Sequence, residues 1–451
     1  DSRTTYDVAA VYGGGNQADY IPTNATLDPD VEANKTKIEK ATAEVIIEGC
    51  ELTSIDHVYG GGNAAAVPAT DITVKGTYII NTLYGGGNGA GEDNLGANVG
   101  YKSFSSLAPN DEEKNAKKYG TGKAVTKLLG GYINEVYGGS NTRGDIRGGT
   151  DVSTKGKYEI AQEGWCPTLN VGDIYGAGSH ADVNGDVSIT LECMPEDFVE
   201  AVYGGAEMAT VNGNVSLTVT SGKFGRVFGG NNEGGDVRGT ITVNVYEEGC
   251  KPLIIGELSG GGNAAPYSIY GCTEGTPWTA NVDGTPYFNV VSENRIDIEV
   301  NVWSCTSIGK VFGGGMGSTA KVIGNTHVWI NPTYGSVDTD GDGIGEQRPL
   351  GKIGQVFGGG GKADVIGNTL VDIGTETYTN ADNGVIITSG DDYLDPDKDD
   401  VISITAGVYG GGSEADVDGD VTLNIGTKNL PLGVNIAGDI YGGGLGEKTT
   451  V

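Results

Sequence analysis

Several short runs of the chain alternate apolar and polar residues. Val187, Ile189 and Leu191 are separated by a serine and a threonine, and the same frame returns at 363–373 and 415–425. A period of two is typical of a β-strand with one buried face, and the β-branched side chains favour the same structure. The pattern therefore predicts one strand that recurs along the chain.

A second pattern places an aliphatic residue before an aromatic one, followed by two or three small residues. The pairs are Val11-Tyr12, Val58-Tyr59, Leu83-Tyr84, Val136-Tyr137, Ile174-Tyr175, Val202-Tyr203, Val227-Phe228, Val311-Phe312, Val356-Phe357, Val408-Tyr409 and Ile440-Tyr441, with a degenerate copy at Leu258-Ser259. The shortest spacing, from Tyr59 to Tyr84, matches one solenoid coil of about 20–30 residues. A β-propeller blade needs about 40 residues and four strands, so the repeat favours a solenoid.

Each repeat is interpreted as a strand ending in Tyr-Gly-Gly, a tight arc, a short Ala-Asp-Val strand, a glycine corner and the alternating strand. The prediction is an all-β, single-stranded parallel β-solenoid of about twelve coils. The aliphatic residue is expected in the core and the aromatic residue in a stacked column. The asparagines after the glycines are expected to form a side-chain ladder; they are Asn16, Asn63, Asn88, Asn141, Asn231 and Asn263.

Longer spacings indicate loops inserted into one continuous solenoid over 1–451. The predicted insertions cover approximately 89–131, 264–306, 331–351 and 375–400. Solenoid insertions often gather on the binding face, so specificity is expected there. The stretch 110–118 is expected to form one short helix. The repeat pattern continues to both ends without a cap, which predicts that the chain is a segment of a longer protein.

Composition restricts the partners. The 80 glycines lack a period of three, which excludes collagen, and the 37% hydrophobic content is enough to bury a core. A formal charge of −32 disfavours nucleic acid and anionic lipid. It favours divalent cations and neutral or cationic ligands, or it serves solubility alone. With no apolar run of eighteen residues, membrane insertion by this segment is not expected.

The sharpest candidate site is an acidic loop inside the 331–351 insertion. Carboxylates at alternate positions followed by glycine match the first half of an oxygen-ligand calcium loop. The predicted ligands are the side chains of Asp338, Asp340, Asp342 and Glu346 and the main-chain carbonyl of Ile344. Pro349 stands where an EF-hand carries its bidentate glutamate. The nine residues resemble the calcium loops of thrombospondin type 3 and dockerin modules; an unliganded acidic turn is the alternative.

Other acidic groups are interpreted as turns or solvated loops. The run 391–400 is irregular in spacing, and the Asp-x-Asn-x-Asp triplet at 182–186 is followed by a strand residue where a calcium loop needs glycine. The six cysteines lack a Cys-x-x-Cys pair, so a zinc site is not expected. Disulfides between Cys166 and Cys193, and between Cys272 and either Cys305 or Cys250, compete with buried thiols.

Catalysis has no clear sequence signature. The three histidines, His57, His180 and His327, are scattered and are interpreted as structural. Carboxylates are so frequent that pairs arise by chance, so glycoside hydrolysis does not follow from them. The four tryptophans are expected either to stack on sugars or to anchor loops; they are Trp165, Trp278, Trp303 and Trp329.

The repeat resembles those of right-handed parallel β-helix proteins of bacterial surfaces, including autotransporter-type and filamentous adhesins. Tyr-Gly-Gly-Gly-Asn with a downstream Ala-Asp-Val-x-Gly-Asn-Thr is similar to repeats in large exported proteins of gut anaerobes. The resemblance implies a right-handed coil and an extracellular or cell-surface location. It also implies a glycan or protein partner on a host or bacterial surface, with end-to-end or lateral self-association as a further expectation.

Two functions are consistent with the sequence. The first is a non-enzymatic surface stalk or adhesin that presents loops, motivated by the unbroken repeat and the lack of a catalytic pattern. The second is a polysaccharide-binding or polysaccharide-degrading β-helix, motivated by acidic residues, calcium-like loops and scattered aromatics. A long cleft lined by carboxylates and open aromatics is expected only for the second.

Overall fold

The computed structural model describes most of the repeat and parts of the insertions. The described residues are 6–20, 41–49, 52–90, 96–100, 121–155, 169–192, 194, 198–248, 252–271, 278–279, 286–287, 295–331, 351–375, 402–426 and 434–446. They form β-strands joined by turns, with one 3-10 turn at Ile269–Gly271. Among the residues that the structure describes, there is no helix long and apolar enough to cross a membrane.

The strands are short, as the period-two runs predict. In chain order they are β1 Val8–Tyr12, β2 Ala43–Glu48, β3 Ser54–Tyr59, β4 Thr70–Gly76, β5 Ile79–Tyr84, β6 Ala124–Leu128, β7 Tyr132–Tyr137, β8 Thr150–Lys155, β9 Asn170–Tyr175, β10 Val187–Glu192, β11 Phe198–Tyr203, β12 Val215–Val219, β13 Gly222–Phe228, β14 Ile241–Val245 and β15 Leu253–Ser259. They continue with β16 Tyr267–Ser268, β17 Trp278–Thr279, β18 Pro286–Tyr287, β19 Ile298–Val302, β20 Ser307–Phe312, β21 Val322–Ile323, β22 Thr326–Ile330, β23 Lys352–Phe357, β24 Val365–Ile366, β25 Thr369–Ile373, β26 Ile402–Tyr409, β27 Val417–Asp418, β28 Val421–Ile425, β29 Val434–Ile436 and β30 Ile440–Tyr441.

The chain divides into two compact units. Unit 1 comprises Asp1–Ser216 and Asn231–Gly239, and unit 2 comprises Leu217–Gly230 and Thr240–Val451. In unit 1, sheet A has the order β1-β3-β5-β7-β9-β11 and sheet B the order β2-β4-β6-β8-β10. A third line of parallel bridges joins Val67, Val99, Ile146, Val183, Val211 and Val237. Each coil of unit 1 therefore has the three strand positions that the repeat predicts.

Unit 2 is built from the same coil. Its part of sheet A runs β13-β15-β20-β23-β26-β29, with β30 also paired to β26, and its part of sheet B runs β14-β19-β22-β25-β28. Sheet C, β16-β21-β24-β27, supplies the third position, while β17 and β18 form an antiparallel pair. Because consecutive coils pair in parallel and in register, the described chain has the fold of a right-handed parallel β-helix.

The glycines after the aromatic residue are explained by the close approach of neighbouring coils. Gly60 N donates to the main-chain oxygen of Tyr84, and Gly61 N donates to that of Gly86, each at 2.9 Å. A Cβ added at Gly85 would overlap the main-chain oxygen of Gly138 in the next coil. The arc thus keeps its backbone hydrogen bonds only if these positions carry no side chain.

Both columns predicted from the motif are confirmed. The aliphatic residues Val58, Leu83 and Val136 are fully buried. In unit 1 the tyrosine rings stack from Tyr12 to Tyr203 with centroids 4.6–5.2 Å apart. In unit 2 the stack runs through Phe312, Phe357, Tyr409 and Tyr441 with centroids 4.8–5.4 Å apart. Apart from the outermost rings, the aromatic residues in these stacks are buried.

The asparagine ladder is confirmed for four members. Asn63 donates to Asn16, Asn88 to Asn63 and Asn141 to Asn88, at 2.8–2.9 Å. The prediction for Asn231 is wrong, because its buried amide accepts from Ala206 N and donates to the main-chain oxygens of Ala209 and Gly234. Side chains four residues after the aromatic form the ladder, whereas Asn231 lies only three residues after Phe228 and turns into the arc.

The predicted insertions are described only in part. Strand β6 lies inside the predicted 89–131 insertion, and β19 lies inside the predicted 264–306 insertion. The expected helix at 110–118 and most of the two later insertions fall outside the described residues.

Candidate functional site

The predicted calcium ligands, Asp338, Asp340, Asp342, Ile344 and Glu346, all lie outside the described residues, as does the acidic run 391–400. Within the ranges that the structure describes, no three His, Cys, Asp or Glu side chains are grouped to hold a metal ion. The calcium site therefore stays a prediction from sequence.

The described part of the chain includes one cysteine side chain. Cys305 is buried, and burial followed by the charge of Glu247 raises the pKa of its thiol. A thiol of that kind is a poor nucleophile, because the thiolate is the reactive form. The other five cysteines fall outside the described residues, so the proposed disulfide pairs remain predictions.

Three tyrosine hydroxyls in unit 1, those of Tyr59, Tyr137 and Tyr175, each reach a side chain two coils further on. That side chain lies four positions after the aromatic residue of its own coil, and we call this place the ladder position. Tyr59 is hydrogen-bonded to Asn141, and Asn232 donates to the Tyr175 hydroxyl at 3.1 Å. Burial raises the pKa of Tyr59 to about 12. These phenols therefore remain protonated and act as hydrogen-bonding groups at neutral pH.

The same rule brings carboxyl groups together around Tyr137. Its hydroxyl lies 3.3 Å from Glu207 Oε2, which is at the ladder position, and 3.5 Å from Glu135 Oε2 on its own strand. Ser179 Oγ donates to the same Glu207 oxygen at 2.5 Å and lies 2.7 Å from His180 Nδ1. The serine hydroxyl has one proton, which it donates to Glu207. His180 Nδ1 is therefore the donor in its hydrogen bond with Ser179. The carboxyl cluster comprises Glu135, Asp173 and Glu207.

This cluster disfavours ionisation of one member. Burial, then the charges of Glu207 and Asp173, raise the pKa of Glu135, while its hydrogen bond to Tyr137 acts in the opposite direction. A half-buried carboxyl with a raised pKa beside other carboxyl groups is an arrangement that general acid catalysis uses. The same arrangement also occurs in polar networks that only stabilise a fold.

A second titratable group lies on the outer face of sheet B in unit 2. His327 on β22 is 7% exposed, and its Nε2 lies 2.9 Å from Asp372 Oδ2 on β25. Its Nδ1 lies 3.7 Å from Glu299 Oε1 on β19. The imidazole therefore connects three consecutive strands, which supports the structural interpretation made from the sequence.

Opposing effects set the charge of this histidine. Burial lowers the pKa of His327, but the hydrogen bond to Asp372 and the nearby carboxylate of Glu299 outweigh it and raise the pKa to about 9. Burial would raise the pKa of Asp372, but hydrogen bonds from His327 and Asn424 outweigh it and lower the value. At neutral pH the group is an imidazolium between two carboxylates, so it is unsuited to act as a general base.

Two of the four tryptophans, Trp303 and Trp329, contact each other in unit 2. Trp329 is two residues after His327, and its ring meets that of Trp303 edge to face with centroids 6.3 Å apart. Tyr246 stacks on Trp303 at 5.6 Å. All three side chains are half-buried. This packing accounts for Trp303 and Trp329 as contacts between strands.

Sequence reasoning missed the carboxyl cluster. Glu135, Asp173 and Glu207 are 38 and 34 residues apart in the chain, and only the coil register brings them to one hydroxyl. The signal was available in the repeat, because Glu207 occupies a position that holds asparagine in six other coils. Comparison of the chain with models of protein families, with curated proteins and with solved structures finds no match.

Proposed function

We propose that this protein is a non-enzymatic, extracellular scaffold of the surface or adhesin type, a β-solenoid stalk that presents binding loops. The observation that carries the proposal is the unbroken use of one coil. In each unit the arc glycines donate to the next coil and the aromatic rings stack on their neighbours. A frame in which every repeated side chain is committed to packing leaves recognition to surface positions and loops.

Calcium is proposed to stabilise the loop that contains Asp338, Asp340, Asp342 and Glu346. The support is the spacing of hard oxygen ligands, which suits Ca²⁺ better than Mg²⁺ or zinc. Binding to the folded form alone would raise the thermal midpoint. Melting the protein with calcium and with EDTA tests this, and D340N/D342N is the matched variant. An unchanged midpoint, or an equal shift in the variant, contradicts the calcium proposal.

The partner is proposed to be a glycan or protein on a host or bacterial surface, with end-to-end or lateral self-association as a possible second property. The charge of −32 makes nucleic acid an unsuitable ligand. Beads coated with the purified chain, applied to arrays of glycans and matrix proteins, measure binding directly. We expect the beads to bind a defined subset of spots. Binding should persist when Glu135 and Glu207 are replaced by glutamine.

The carboxyl cluster supports one alternative, a polysaccharide-degrading enzyme. Glu135 Oε2 and Glu207 Oε2 both lie within 3.5 Å of the Tyr137 hydroxyl, so the two groups are neighbours. Glycosidases use two such carboxyl groups, one of them with a raised pKa. Assays of reducing ends and of unsaturated uronate over a polysaccharide panel separate the two functions. Release that is lost in E135Q would overturn the scaffold proposal.

A further inference from the structure

One surface of unit 1 combines exposed aromatic rings with hydrogen-bonding side chains. Tyr132 on β7 pairs with Asn170 on β9, and Phe198 holds the equivalent position on β11, three residues before the Ala201–Asp173 pair. Tyr132 is 43% exposed and Phe198 is 53% exposed. Since these positions face outward, the rings are presented to solvent at the entry to sheet A.

The spacing of the two rings makes this more than chance exposure. Single exposed aromatic residues are ordinary on protein surfaces. Here they lie in the same column of one sheet, two strands apart, which is roughly 9.6 Å at the strand spacing of parallel sheets. An extended β-linked glycan presents every second sugar ring to the same side at a comparable repeat. Two aromatic side chains at that separation match alternate sugar rings, and Asn170 lies on the strand between them.

The neighbouring column forms a shallow dent. Its members are Asn134, Gly172 and Glu200, and Gly172 contributes no side chain. A Cβ at Gly172 would overlap the main-chain oxygen of Asn134, so the backbone there enforces the dent. Asn134 donates to Asn81 at 3.2 Å and ends that amide ladder, because Gly172 cannot continue it. The amide oxygen of Asn134 is therefore outside the ladder and next to the dent.

The charge of the surface selects the kind of glycan. Glu200 is exposed, and Glu135 and Asp173 are half-buried in the adjoining outward positions. Carboxylates accept hydrogen bonds from sugar hydroxyls but repel uronate and sulfate groups. We propose that Tyr132, Asn134, Asn170, Phe198 and Glu200 form a binding platform for a neutral, extended β-linked glycan. This deepens the proposed function by naming a ligand class, and it rests on that function only in requiring the platform to face the extracellular medium.

Affinity electrophoresis of the whole chain tests the platform. The probes are hydroxyethyl cellulose, xylan and glucomannan as neutral chains, with carboxymethyl cellulose as the acidic counterpart of the first. The wild type is expected to be retarded by at least one neutral chain and less by carboxymethyl cellulose. Removing one ring in Y132A or F198A is expected to weaken binding by about fivefold to tenfold, and the double variant by more.

Matched variants separate stacking from folding. F198Y keeps an aromatic face and is expected to bind like the wild type. Y78A removes a tyrosine that is 41% exposed in the same unit but lies outside the column, and it is expected to have no effect. Thermal midpoints confirm that each variant is folded. Lack of retardation by all three neutral chains, or equal retardation of the double variant and the wild type, overturns the platform. The scaffold proposal is judged separately, by the activity and bead assays.

Discussion

The aromatic column has different surroundings in the two units. In unit 1 the rings are tyrosines whose hydroxyls reach polar ladder positions, as Tyr59 reaches Asn141 and Tyr137 reaches Glu207. In unit 2 Phe312, Phe357 and Tyr409 form a buried apolar cluster with Met316 packed against it. The coil is the same, but the unit 2 cluster includes both ring types, Phe357 and Tyr409, whereas the described unit 1 stack consists of tyrosines. A buried hydroxyl needs a partner, and a phenyl ring does not.

Charge is distributed differently as well. Unit 1 places three carboxyl groups around Tyr137 with repulsion among them, which raises the pKa of Glu135 after the effect of burial. Unit 2 places an imidazolium between two carboxylates, which lowers the pKa of Asp372 despite its burial. The first arrangement costs stability at neutral pH, and the second contributes to it. A cluster that costs stability is the better candidate for a functional role.

The largest expected effect removes a ring from the apolar column. Phe357 is 1% exposed and stacks between Phe312 and Tyr409. Phe357→Ala is expected to lower the free energy of unfolding by about 3–5 kcal/mol, from lost burial and the cavity left behind. Denaturant unfolding followed by circular dichroism measures the change. F357L, expected to lose less than half as much, is the control; a loss below about 1 kcal/mol for F357A would show that the stack is not a core element.

The second largest effect is expected from loss of the His327 imidazolium. His327→Gln is expected to lower the free energy of unfolding by about 2 kcal/mol at pH 6, after discounting for solvent near the pair. Because the folded pKa of about 9 lies above the ordinary value of 6.5, the contribution is complete below pH 6.5 and is lost as the pH rises through 9. Denaturant midpoints of wild type and H327Q from pH 6 to pH 10 should therefore converge. A constant difference over that range contradicts the assignment.

Exchanging the ring types tests whether the surroundings of each column select tyrosine or phenylalanine. Tyr137→Phe removes a hydroxyl that neighbours two carboxyl groups and is expected to lower stability by about 1 kcal/mol. Phe312→Tyr places a hydroxyl in the column packed by Met316 and is expected to lower it by a similar amount. Thermal midpoints of the two variants measure both changes. If F312Y is as stable as the wild type, the apolar column does not select phenylalanine.

The smallest effect has the opposite sign. Glu135→Gln removes one charge from the carboxyl cluster and is expected to raise stability by about 0.5 kcal/mol at pH 7. The raised pKa of Glu135 means that ionisation disfavours the folded form, so the gain should disappear as the pH falls and the carboxyl becomes protonated. Midpoints at pH 7 and pH 4 measure it, and E200Q, at an exposed position, is the control. A loss of stability in E135Q would mean that the Glu135 carboxylate stabilises the folded form, which contradicts the prediction.

The sequence by itself determined the coil. The period of two identified the strands, the aliphatic–aromatic pair identified the core, and the glycines identified the arcs where neighbouring backbones meet. Those features are local or repeat in phase, so one chain is enough to find them. The confirmed ladder from Asn16 to Asn141 was predicted in the same way, because equivalent positions in stacked coils must be neighbours.

Only the tertiary structure decided which irregular positions meet. Unequal spacings between copies hide the register, so Glu135 and Glu207 look unrelated until β7, β9 and β11 are aligned. The same alignment places Tyr132 and Phe198 in one column. Chemistry on a solenoid surface depends on side chains from different coils a few ångströms apart. Their separation in the sequence is set by loop lengths, which the repeat does not constrain.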